Sequence, residues 1–101
     1  MVPDLSQQRA AIDSIDNEIL ELLQKRLALV LEVGEIKRAH GMKVYDPDRE
    51  RAVIERLVAA RCDPLRAEMV RRVFERIIDE SRSHEQRHIS EPVPAPTDPR
   101  R

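Results

Sequence analysis

Aromatic side chains are almost missing: one Tyr, one Phe and no Trp among 101 residues. Strands favour aromatic and β-branched residues in alternation, and no stretch of this chain alternates that way, so a sheet-based fold is excluded. Cysteine is represented by Cys62 alone, so no intrachain disulfide can form. A catalytic thiol needs a His partner, which the sequence does not place beside it, and Cys62 reads as a small residue at a helix end. Only two glycines are present, and they build no phosphate-cradling loop. An excess of one charge is also lacking: 18 Lys and Arg against 19 Asp and Glu give a net charge of −1. Without a positive field, binding to nucleic acid or to an acidic membrane surface is not expected. The missing aromatics also remove base-stacking platforms. No apolar run is long enough to span a bilayer and no signal peptide is evident, so a cytoplasmic protein is the expectation. His84 and His88 share one helix face but find no third ligand, and no metal or cofactor is expected.

What is present is helix-forming sequence, 41% apolar and 37% charged. From Leu5 to about His40 no proline intervenes, and Leu5, Ile12, Ile15, Ile19, Leu22, Leu29, Val33 and Ile36 fall on a heptad. Such a seam, sustained over about five heptads, predicts one long helix with a coiled-coil face. Pro3, Asp4 and Ser6 supply its start signals, and Gly41 suits a left-handed cap at its end. Asp46-Pro47 then reads as an N-cap followed by proline at the first helical position. Asp48 and Glu50 add negative charge where the helix dipole favours it. This second helix reaches about Arg61. Asp63-Pro64 repeats the device and opens a third helix, about Pro64 to His88. The helical domain is read over 1–89. From Ser90 the chain carries four prolines in SEPVPAPTDPRR, which reads as a disordered tail over 90–101. The expectation is an all-α fold of three helices.

A helix of about 36 residues is about 54 Å long. A compact monomer of this size has a radius of gyration of only about 13 Å. The helix must project from any single-chain globule while its seam runs its whole length. An intertwined homodimer follows as the expected assembly.

The polar residues that interrupt the apolar stripes are the candidates for function. Arg26 occupies a seam position between Leu22 and Leu29. Lys37, about three turns on, projects from nearly the same side. Buried cations need anionic partners, and two readings fit. One is a snorkelling arginine or a register-setting ion pair; the other is an anion-binding cavity inside a helix bundle. On the third helix the stripe through Met69, Val70, Val73, Phe74, Ile77 and Ile78 continues at Ser81 and Glu85. Those two either fray into solvent or line the same cavity. Asp46 needs no role beyond capping, and Glu50 could pair with a nearby Arg. Arg9 lies about 26 Å from Arg26 along the axis and about 100° around it. The two could share a small ligand only across an antiparallel dimer.

Five motifs stand in order: R-x-x-I-D-x-I-D at Arg9 to Asp16, L-L-x-x-R at Leu22 to Arg26, V-G-x-x-K at Val33 to Lys37, D-x-x-R-E at Asp46 to Glu50, and I-I-x-x-S at Ile77 to Ser81. With this set, Leu5 to Gln86 resembles the all-helical (AroQ-class) chorismate mutases. The resemblance implies an intertwined dimer of three-helix chains that converts chorismate to prephenate. It implies that Arg9 reaches into the partner chain's site, and that Arg9 and Arg26, supported by Arg49, hold substrate carboxylates. Lys37 is implied as donor to the ether oxygen, Asp46 (mainly through its backbone) and Glu50 as binders of the ring hydroxyl, and Ser81 as a further carboxylate contact. Glu85 falls where family members carry a Gln or Glu on the same ether oxygen, and a carboxyl there must be protonated to donate.

The rearrangement is a single pericyclic step that needs no nucleophile, metal or proton shuttle. Arginine forks suit carboxylates. Holding the reactive conformer lowers the entropic part of the barrier, and a fixed cation at the ether oxygen meets charge that grows only in the transition state. Two alternatives stand beside the mutase. Isochorismate-pyruvate lyases share the fold, although D-x-x-R-E favours the mutase. A non-catalytic dimerisation module regulating a shikimate-pathway partner enzyme is the other.

Overall fold

The computed structural model describes residues 2–90; of the tail expected over 90–101, Ser90 belongs to the third helix and 91–101 lie outside the described residues. Three helices account for the fold: α1 (Ser6–Ala39), α2 (Pro47–Ala60) and α3 (Ala67–Ser90). The all-α expectation holds.

Local chemistry sets most of the boundaries. Asp4 Oδ1 accepts from the Ser6 N–H at 2.9 Å at the head of α1. At its foot, Gly41 takes φ +65°, with Gly41 N–H donating to Arg38 C=O at 3.2 Å and Met42 N–H to Lys37 C=O at 2.8 Å. That is the paired bonding of a Schellman cap. Asp46 caps α2 as expected: its carboxylate accepts from the Arg49 N–H at 3.0 Å, and Pro47 fills the first turn.

The start of α3 differs from expectation. Asp63-Pro64 does not cap it but sits in a turn closed by Leu65 N–H to Cys62 C=O at 3.1 Å. The helix begins three residues later, where the N–H groups of Met69 and Val70 both donate to the Arg66 carbonyl at 3.1 Å. Asp-Pro serves a turn and a helix start equally well, because proline fixes φ for both.

α3 packs against both α1 and α2, which do not pack on each other. The interior they share is small. Val53 of α2 with Val70 and Ile78 of α3 are its buried apolar side chains among the described residues. The molecule measures 62 × 42 × 15 Å with a radius of gyration of 18.6 Å. A thickness of 15 Å is little more than one helix diameter of about 10–12 Å, so the chain is a single layer of helices. Every heptad residue remains exposed, Leu22 at 63% and Leu29 at 60%. The described residues therefore build a seam that they do not themselves cover.

Candidate active site

All three helices converge where the second half of α1, the head of α2 and the second half of α3 meet. The Schellman turn folds the chain back after Lys37, and the Asp46 cap starts α2 beside it. Between the three lies a cavity of about 300 Å³. Its apolar wall includes Leu29, Val33, Val53 and Ile78, and its polar lining is Arg26, Lys37, Asp46, Arg49, Glu50, Ser81, Arg82 and Glu85.

Arg26 and Ser81 touch across 55 residues of sequence: Arg26 Nη1 donates to Ser81 Oγ at 3.1 Å. Ser81 in turn donates its one hydroxyl proton to Ile77 C=O at 2.7 Å. As it stands, Ser81 positions Arg26 and offers no donor to a ligand. Lys37 Nζ donates to Val44 C=O at 2.9 Å, which ties α1 to the connecting loop and leaves two ammonium protons for the cavity. Among the described residues, Arg26, Lys37 and Arg49 form no ion pair. The register-setting ion pair is thus not what the seam arginine makes. It faces a cavity with a neutral hydroxyl as its protein partner.

The opposite sign is present but largely spoken for. Asp46 is occupied by capping. Glu50 Oε1 accepts from Arg82 Nη1 at 2.5 Å, and Arg82 Nη2 bonds Asp79 at 2.9 Å. The Arg82 guanidinium also lies 4.9 Å from the Tyr45 ring centroid, in cation–π range. Glu85 is the exception. It is only 5% exposed, the one buried charged-type residue among those described, and its Oε2 has no hydrogen-bond partner. Loss of solvent pushes its pKa up; Lys37 pulls it back down, and Glu50 raises it further. Burial thus favours the neutral acid, which has a proton to donate.

Seven of the eight residues singled out from sequence line this one cavity, and the stripe on α3 runs into it without fraying into solvent. Arg9 does not. It stands near the head of α1, beside a separate hollow with Asp4 and Asp13. Arg82 was missed: its one signal is that it lies four residues beyond Ile78, at the edge of the helical stripe that carries Ser81 and Glu85. Neither histidine joins the site. His88 Nε2 meets Glu35 Oε1 at 2.8 Å, bracing α3 to α1, and His84 is exposed. No cluster of three possible metal ligands occurs among the described residues, and no helix there is long and apolar enough to cross a membrane.

The sequence pattern of the family described as chorismate mutase type II matches residues 8–86. The T-protein of Haemophilus influenzae is 38% identical over 82 residues, covering 80% of this chain and 22% of that protein. The chain thus spans about a fifth of that relative's length. Two solved structures superpose at a TM-score of 0.80. One is a chorismate mutase from Thermus thermophilus, 34% identical and covering 82% of this chain and 94% of that one. The other is a chorismate mutase from Helicobacter pylori in complex with prephenate, 30% identical and covering 88% of this chain and 97% of that one.

Proposed function

This chain belongs to the chorismate mutase type II family, and we propose that it converts chorismate to prephenate in the cavity between its three helices. One observation carries the reading. Arg26, Lys37 and Arg49 line that cavity without ion pairs among the described residues, and it also holds a buried carboxyl whose Oε2 has no partner. A dicarboxylate with an ether oxygen matches this set: cations for its charges, an acid proton and an ammonium for its oxygen.

The rearrangement breaks the ether C–O bond and forms a C–C bond within one molecule, so nothing enters or leaves. The protein's task is to hold the enolpyruvyl arm over the ring and to stabilise charge at the ether oxygen. Arg26, fixed by Ser81, takes one carboxylate, and Arg49 adds its charge at the α2 end. Lys37, anchored on Val44, donates to the ether oxygen, as does the Glu85 carboxyl in its neutral form. Glu50 and the Asp46 backbone receive the ring hydroxyl. The rate gain comes from selecting a near-attack conformer and from preorganised charge that acts mainly in the transition state.

Among the described residues, Arg82, the remaining arginine of the cavity, is tied to Glu50 and Asp79, and none is left to complete the grip on the second carboxylate. Arg9 lies too far along α1 to serve its own chain's cavity. A second copy, laid antiparallel along the exposed seam, brings its Arg9 to this one. The functional unit proposed is therefore a homodimer with two equivalent sites.

The test follows chorismate loss, with prephenate identified as product. Wild type should turn over, and Lys37→Ala should lose about 10²–10³ in rate. Absence of turnover, with pyruvate released from isochorismate instead, would assign the cavity to the lyase reaction.

A further inference from the structure

Arg82 has no place in the roles above, yet it is the most heavily constrained cation at the cavity. One arm of its guanidinium holds Glu50 at 2.5 Å, the other holds Asp79 at 2.9 Å, and Tyr45 lies 4.9 Å away against the group. Its side chain and that of Glu50 are 26% and 23% exposed, so water screens this pair less than it does a surface one.

We propose that Arg82 is a positioning residue: it holds the Glu50 carboxylate in place with one oxygen left for the ring hydroxyl, and it keeps the Glu50 charge from acting in full on Glu85. The inference rests on the mutase reading and goes further by naming what positions Glu50 and what screens Glu85 from it. Glu50 makes its bond to Arg82 through Oε1 alone; Oε2 is the free acceptor. Two arms tied to two carboxylates leave the guanidinium little freedom, so Glu50 is held in place before substrate arrives. The second half follows from the charges around Glu85. Those that line the cavity with it are Arg26 and Lys37 of α1, Asp46 at the head of α2, Arg49 and Glu50 of α2, and Arg82, three residues before it on α3. Asp46 is tied to the head of its helix. Glu50 is the anion that acts on Glu85, and Arg82 is bonded directly to it. Like charge favours the protonated form of a carboxyl, so removing Arg82 should make Glu85 keep its proton to higher pH.

The experiment measures kcat and KM for chorismate across pH in wild type, Arg82→Met, Arg82→Lys and the double variant Arg82→Met with Glu85→Gln. Arg82→Met should lower kcat/KM about 10- to 100-fold at acid pH, mainly through KM, the range for a lost hydrogen bond to a charged group. Its alkaline limb should move to higher pH. Arg82→Lys should keep the wild-type limb while restoring KM only in part, because lysine supplies the charge without the fork. The double variant should show no limb. A uniform loss at every pH with the limb unmoved, or no change at all, overturns the proposal. Should Arg82→Met not fold by circular dichroism, Arg82→Lys decides: a limb displaced from wild type overturns it. A wild type that leaves chorismate untouched is a failure of the mutase reading, seen before any variant is compared.

Discussion

At the scale of single residues, the proposed mechanism makes Glu85 the group that sets the pH behaviour. Burial is the first cause that lifts its pKa above the ordinary value of 4.5, with Lys37 opposing and Glu50 adding. The folded chain therefore binds this proton more tightly than the unfolded chain does. Stability from Glu85 is complete below 4.5 and is lost as pH rises through the raised folded value. Activity should fall through the corresponding pKa of the substrate complex, because an ionised carboxylate repels the ether oxygen. Glu85→Gln keeps the shape and a donor but cannot ionise. Its rate should stay flat into alkaline pH, and its melting temperature should exceed wild type at about pH 8 with the gap closing towards about pH 4. A wild-type rate already flat to alkaline pH would remove Glu85 from the chemistry. Most of the site was legible because helical periodicity places i, i+3 and i+4 on one face. Ser81 and Glu85 stood out where an apolar stripe turned polar. Arg82 did not, because an arginine beside a stripe reads as a solvated flank. Its partner Glu50 lies 32 residues away, and no local pattern encodes that pairing.

The connection between α1 and α2 is the element on which the site depends. One turn holds Lys37 twice: its carbonyl accepts from Met42 N–H, and its ammonium reaches Val44 C=O. Gly41 makes this turn possible with φ +65°. A Cβ added there would meet nothing within 4 Å, so backbone strain is the whole cost of Gly41→Ala. That cost is about 1–2 kcal/mol, read as a lower urea midpoint with an unchanged slope. Gly41→Asn should lose less, because asparagine tolerates the left-handed region. Equal losses for the two would mean that something other than φ is at stake. Both caps here were readable: Gly41 marks the end of α1, and Asp46-Pro47 is followed by Asp48 and Glu50, whose charge favours a helix start. Asp63-Pro64 is followed by Leu65 and Arg66 instead, and only the hydrogen bond from Leu65 to Cys62 shows that the turn prevailed over the cap.

The whole molecule is a layer 15 Å thick, and a second copy is what its exposed seam calls for. Covering Ile12, Ile15, Ile19, Leu22 and Leu29 contributes about 1 kcal/mol for each half-exposed side chain. The heptad announced this seam, but which copy's Arg9 serves which cavity lies beyond any one chain. Mixing two inactive variants separates the possibilities. In the proposed dimer, Arg9→Ala removes the arginine lent to the other copy, whereas Lys37→Ala removes a donor from the chain's own cavity. In a mixed dimer, the cavity of the Arg9→Ala chain keeps its Lys37 and receives an intact Arg9 from the other subunit; the second cavity carries both defects. Unfolding the two variants together and refolding them at equal amounts yields mixed dimers as half of the population. One sound cavity in each gives about a quarter of wild-type activity. If Arg9 served its own chain, every cavity in the mixture would lack one group or the other, and refolding together would restore nothing. Recovery that also rises with protein concentration over the dissociation range would tie the active cavity to the dimer itself.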